Sequence, residues 1–150
     1  MNAREAAGTA ARLAVGAVLI FAGASKAAAP AAEFALVIQT YGLLSASWAL
    51  PMAGILPWVE IAVGWALVLG LETRLAAAAA GALFAVFLSA LASVILRGIP
   101  IPNCGCFGGA VHFSPSQAFL FDSAMAALSW TAFRSGPGAP SLDSWSDRGL

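Results

Sequence analysis

The chain has 150 residues, 61% of them hydrophobic and 9% charged, with no formal net charge and a mean hydropathy of +0.88. Soluble domains carry about 25% charged residues, so this chain has too few to cover a water-exposed globule, a requirement that a lipid bilayer removes. Its seven Lys and Arg residues are scattered and do not form the clustered basic footprint that nucleic acid binding needs.

In chain order, four stretches approach the roughly 20 apolar residues of a transmembrane helix. They are residues 11–29, 51–71, 75–96 and 117–133. All are Ala- and Leu-rich without period-two alternation, which argues against strands. The expected fold is all-α: a four-helix transmembrane bundle over residues 1–133. The first stretch has a second reading as a cleavable signal peptide, since Arg12 and an apolar run precede the small residues Ala27-Ala28-Ala29. Lys26, just before that cleavage point, argues against it. Between the first two spans, Phe34, Val37, Ile38 and Tyr41 recur at helical spacing. They predict a short amphipathic helix on the membrane surface, with a packed loop as the alternative. Trp48 and Trp58 fit an interfacial aromatic belt at the start of the second span. The fourth stretch is short and contains Asp122. Residues 134–150 are rich in Ser, Gly, Pro and Asp and read as a disordered tail.

Basic residues in short loops favour the cytoplasm. Arg4, Arg12, Arg74, Arg134 and Arg148 fall on one side of a four-span topology, Lys26 and Arg97 on the other. The bias predicts a multi-pass protein of the bacterial inner membrane with both termini and the tail cytoplasmic. The loop before the fourth span then faces outward, into a compartment where disulfides persist.

That loop holds the only two cysteines, Cys104 and Cys106, in the run Pro102-Asn103-Cys104-Gly105-Cys106-Phe107-Gly108-Gly109. A disulfide between residues i and i+2 closes a small ring, and Gly105 permits the sharp turn this demands. A strained, exposed pair tends to be exchange-active. Spacing, placement and the absence of other cysteines favour a redox-active dithiol. A structural clip or two free thiols is the plain alternative. A soft-metal site using both thiolates and His112 is another, and it lacks a fourth ligand for a closed zinc site.

Three ionisable residues lie within the spans: Lys26, Glu60 and Asp122. Such groups pair or serve a function because burying them alone is costly. Counted along the helices, all three fall in the outward half beneath the cysteines, and Arg97 ends the third span at that level. The expectation is a polar pocket below Cys104 and Cys106, with a Lys26–Glu60 ion pair that helps manage protons released on thiol oxidation. The competing expectation is that these charges only lock the helices in register. Gly16, Gly23, Gly64, Gly70 and Gly81 are expected to permit close helix contacts.

The stretch GAVLIFAGASK from Gly16 to Lys26, the Tyr41-Gly42 step, PWVEIAVGWALVLG from Pro57 to Gly70, Arg97-Gly98 and CGCFG from Cys104 to Gly108 carry a family likeness. With these the chain resembles the methylamine utilisation protein MauE family, within a wider DoxX-like group of redox-associated membrane proteins. The resemblance covers about residues 10–133. It implies a four-helix membrane protein and a role in maturing methylamine dehydrogenase, whose small subunit is exported and rich in disulfides. It also implies partners among thioredoxin-like proteins. The function expected from the sequence is thiol–disulfide exchange between Cys104/Cys106 and an extracytoplasmic thioredoxin-like or exported protein. A membrane quinone is a candidate electron partner, although no quinone motif is visible. The alternatives are a non-catalytic assembly or export accessory of a periplasmic enzyme, and a soft-metal handling protein.

Overall fold

The structure, a computed structural model, describes residues 3–101, 104–108, 111–136 and 141–146. The described residues form six helices and no strand: α1 (Ala3–Ala27), α2 (Ala31–Thr40), α3 (Ala46–Leu69), α4 (Thr73–Arg97), α5 (Pro115–Ser135) and α6 (Leu142–Ser146). The helices α1, α3 and α4 are long and apolar enough to cross a bilayer. The expected fourth span is α5, 21 residues long and more polar, with Asp122, Ser123, Ser129 and Thr131 along it.

The long helices form a closed ring. α1 lies between α3 and α5, α4 packs chiefly on α5, and the seam between α3 and α4 is the loosest. Burial follows helical periodicity. On α3 the buried positions are Ala49, Ala53, Pro57, Glu60, Gly64 and Leu67, three or four residues apart, as one helix face requires. The outward faces carry Trp58, Trp65 and Leu120, all exposed. In lipid these need no protein cover.

Small residues set the α1–α3 distance. A Cβ at Gly16 would lie 2.8 Å from the Gly64 carbonyl oxygen, and one at Gly64 would lie 2.8 Å from that of Gly16. One at Gly23 would lie 2.5 Å from the Pro57 carbonyl. These three behave as expected of close-contact positions in membrane helices. Gly81 does not, its nearest neighbour lying 3.9 Å away. Gly70 instead forms the left-handed C-cap of α3.

Helix ends differ from the sequence expectation for local reasons. α3 begins at Ala46, so Pro51 and Pro57 both lie inside it. The last long helix begins at Pro115, ahead of the expected Gln117. Ser114 accepts the Gln117 amide, the Gln117 side chain accepts the Ser114 amide, and Pro115 occupies the first turn. That reciprocal cap is a capping box with N-terminal proline. The amphipathic segment is helical over Ala31–Thr40, with Ala35 buried against Ala49 and Ala53 of α3.

Composition alone makes residues 134–150 a disordered tail, yet residues 141–146 fold back onto the α3–α4 turn. Asp143 accepts the Glu72 and Thr73 amides and the Thr73 hydroxyl, each at 2.8 Å. Its own amide donates to the Gly70 carbonyl. Burial opposes ionisation of this carboxyl, but the Thr73 and Glu72 hydrogen bonds and the Arg12 charge outweigh it and hold its pKa below the ordinary value. The α4 N-terminus is thus capped from the far end of the chain, which local composition cannot reveal. Arg12, counted among the basic residues of the cytoplasmic side, is buried on α1 at this end, 2% exposed.

Candidate functional site

At the opposite end, Cys104 to Gly108 turn back over the bundle. The Cys104 amide donates to the Phe113 carbonyl and the Gly108 amide to the Gly105 carbonyl. Gly105 and Gly108 both have left-handed backbone, with φ of +73° and +56°, which other L-residues adopt only with strain. Gly105 also touches α2: a Cβ there would sit 2.5 Å from Val37. Phe107 pins the turn from the other side. Its ring lies 5.8 Å from Phe21, 5.7 Å from Phe113 and 5.6 Å from Phe121, the spacing of favourable aromatic pairs.

Both thiols are free. Cys104 is 3% exposed and packs with Leu91 and Ala118, while Cys106 is half-buried. The Cys106 amide donates to the Cys104 sulfur at 3.3 Å. The two cysteines therefore differ in charge. A hydrogen bond from the Cys106 thiol, opposed by burial and assisted by the Cys106 amide, lowers the Cys104 pKa to about 7. That same bond, with burial, pushes the Cys106 pKa up. Cys104 is thereby the more acidic of the two thiols.

Lys26 and Glu60 form the expected ion pair. The ammonium donates to both carboxylate oxygens, at 2.8 and 2.9 Å. The residues are 3% and 0% exposed. Lys26 also stands 5.6 Å from the Phe34 ring centroid and 5.7 Å from that of Phe87, within cation–π range. Asp122 is buried nearby, 3% exposed, and its Oδ2 has no hydrogen-bond partner among the described residues. The charges of Lys26 and Asp122 both reach the thiols, with opposite sign.

Arg97 lies apart from this group. It is exposed and donates to the Tyr41 and Ser93 carbonyls, so it holds the end of α2 and does not line a shared polar pocket. Tyr41 is the residue the sequence reading left without a role at the site. Its hydroxyl donates to the Cys104 carbonyl at 2.6 Å. Burial, with the nearby thiols, raises the phenol pKa and keeps it a donor. Arg97 thus acts on the loop only through Tyr41. A polar hydroxyl on an otherwise apolar helix face was the signal available. His112 is exposed. Among the described residues no three His, Cys, Asp or Glu side chains converge as a metal site would require.

Between α3 and α4, beneath α2 and the cysteine turn, lies a cavity of about 960 Å³. Lys26, Tyr41, Cys104 and Cys106 contribute to one end of its wall, and the rest is mainly apolar side chains from α2, α3 and α4.

Fold and site together define a helical membrane protein with a dithiol turn closing one end of its bundle. The family described as methylamine utilisation protein MauE matches residues 4–135. The chain belongs to that family. One relative, the methylamine utilization protein MauE of Methylophilus methylotrophus, is 39% identical over 74 residues. That alignment covers 49% of this chain and 39% of the relative. No solved structure matches the chain.

Proposed function

We propose that this chain is a membrane thiol–disulfide exchange protein that matures an exported component of methylamine utilisation. Cys104 is the attacking thiolate and Cys106 the resolving thiol. The observation that carries this reading is the asymmetry of the pair: Cys106 donates to the Cys104 sulfur and lowers its pKa to about 7. Nucleophilic thiols need that charge and structural ones do not. The partner is a thioredoxin-like or disulfide-containing extracytoplasmic protein, methylamine dehydrogenase being the substrate the family name favours.

Exchange runs through a mixed disulfide that the second cysteine resolves. Cys106→Ser should therefore accumulate a reductant-sensitive adduct on non-reducing gels, while Cys104→Ser should not, and both should lose activity in cells. Full function of both variants would replace this reading with that of a non-catalytic assembly accessory. One feature favours that second reading: the near-complete burial of Cys104, which a macromolecular partner must relieve.

The proposed orientation has four spans of the inner membrane, termini inside, with the dithiol turn outside. Arg4 donates to the Arg134 carbonyl, so the basic ends of α1 and α5 lie together, opposite the thiols. A membrane-impermeant maleimide should label the reduced thiols of intact cells. Labelling only after lysis would reverse the orientation.

A further inference from the structure

We infer that the cavity between α3 and α4 is the binding site of a lipophilic quinone, and that the quinone takes the electrons of the Cys104/Cys106 dithiol. This rests on the thiol-exchange reading and adds its direction, from partner dithiol to Cys pair to quinone: the partner thiolate opens the disulfide at Cys104, Cys106 leaves and takes a proton, and the partner's second thiolate displaces Cys104, the reverse of Cys104 attack on a partner disulfide.

Three properties of the cavity select this ligand. The first is its size. About 960 Å³ is at the upper end of small-molecule sites, which span roughly 300–1,000 Å³. The second is shape and access. Its α4 wall runs from Ser93 at the thiol end to Ala79, roughly 20 Å at the helical rise. It lies along the loosest seam of the ring, between two helices whose outer faces meet lipid. A ligand with a ring head and a long apolar tail fits such a slot and enters it from the bilayer. The third is charge. Lys26 is the ionic group in the wall, and both Glu60 oxygens already neutralise it. The slot therefore offers no free cation to a phospholipid phosphate. At that end the Lys26 ammonium keeps a third N–H beyond the two that Glu60 accepts, a donor for a carbonyl of an uncharged head.

The chemistry balances without a further reactant. Oxidation of the dithiol joins the two sulfurs and breaks the Cys106 S–H bond. It releases two electrons, the Cys106 proton and the proton that Cys104 shed on ionising. Reduction of a quinone to a quinol consumes two electrons and two protons at its carbonyl oxygens. A disulfide formed this way returns the protein to the state that oxidises the next partner.

The test uses the full-length protein, reduced and freed of reductant, in lipid nanodiscs without oxygen. Decylubiquinone is added, and quinol and remaining thiols are measured together. The expected result is one quinol per thiol pair lost, with none formed by Cys104→Ser. Ala82→Phe and Val86→Phe fill the slot from α4 without touching the thiols. Each should raise the half-saturating quinone concentration about tenfold, a loss of about 1.4 kcal/mol in binding. Melting temperature and maleimide labelling verify that these variants are folded. In parallel, a sample whose Cys104/Cys106 pair has been oxidised with diamide and freed of it is mixed with a reduced thioredoxin-like protein, and thiol exchange is measured. Exchange without quinol formation overturns this inference and leaves the proposed function standing. Failure of both overturns both. Quinol formation at unchanged half-saturation in two folded slot variants places the quinone elsewhere and overturns the site. Phospholipid retained in the slot by native mass spectrometry, with no quinol formed, assigns the cavity to lipid and overturns the ligand.

Discussion

The two ends of this bundle bury charge in opposite ways. At one end buried Arg12 and half-buried Asp143 are packed among Gly70, Glu72, Thr73 and Ser141. A Cβ at Gly70 would collide with the Arg12 guanidinium and the Ser141 side chain. At the other end Lys26, Glu60 and Asp122 are buried, and Lys26 lines a cavity of about 960 Å³ together with two free thiols. Buried charge with no space around it is a fastener. Buried charge beside open volume and a nucleophile is a workplace. The contrast separates residues that hold the fold from residues that act, where composition treats all of them as costly charges in an apolar chain.

The sharpest way to break the contrast is at Lys26. Removing one partner of a buried pair typically costs about 3–5 kcal/mol. Lys26→Met and Glu60→Gln should each lower the melting temperature in detergent, and the double variant should regain part of the loss. Strictly additive losses would show that the pair contributes nothing as a pair. A smaller effect is expected at Cys106. Cys106→Ala removes the thiol donor, so the midpoint of Cys104 alkylation against pH should rise from about 7 towards the ordinary thiol value of about 8.5. The sign follows from the thiolate being the reactive form. At pH 7 the alkylation rate should fall by up to roughly 15-fold, the ratio of the two thiolate fractions. An unchanged midpoint would remove the asymmetry on which the proposed attacker rests.

The smallest effect is expected at the fastener. Asp143→Ala deletes a helix cap supplied from a distance and should cost about 1 kcal/mol. Because the Asp143 pKa is depressed on folding, its contribution is present above the unfolded value of about 4. It is lost as the pH falls through the lower folded value. Cys104 alkylation should be unaffected, since Asp143 and Cys104 lie at opposite ends of the bundle. A change in thiol reactivity in this variant would mean that the ends are coupled.

Much of the fold was legible because lipid rewards long apolar runs and helical spacing reports burial. The four long helices, the α2 segment, the Lys26–Glu60 pair and the cysteine turn all follow from such patterns. What the sequence obscured was contact across distance. Asp143 caps a helix some seventy residues away, which no local window contains. Arg97 sits level with the pocket but is exposed, because level along a helix does not fix direction around it. The clamp of Phe21, Phe107, Phe113 and Phe121 was invisible for the same reason: in a chain this apolar, one more aromatic carries little information. The cavity is the extreme case. It is made of what α3 and α4 fail to fill, and absence has no sequence signature.

The ion pair also bears on how the chain is made. Lys26 and Glu60 are 34 residues apart, so α1 leaves the ribosome with an ammonium and no carboxylate to meet it. A charge at the centre of a membrane helix opposes insertion by about 2.5–3.5 kcal/mol on translocon scales; Glu60 lies near the middle of α3, and Lys26 in the last turn of α1. The cost to both helices falls together once they meet. The Gly16–Gly64 crossing lets them meet early, since it needs nothing from α4 or α5. The first three helices therefore hold both partners of the pair and need nothing from the rest of the ring to neutralise it.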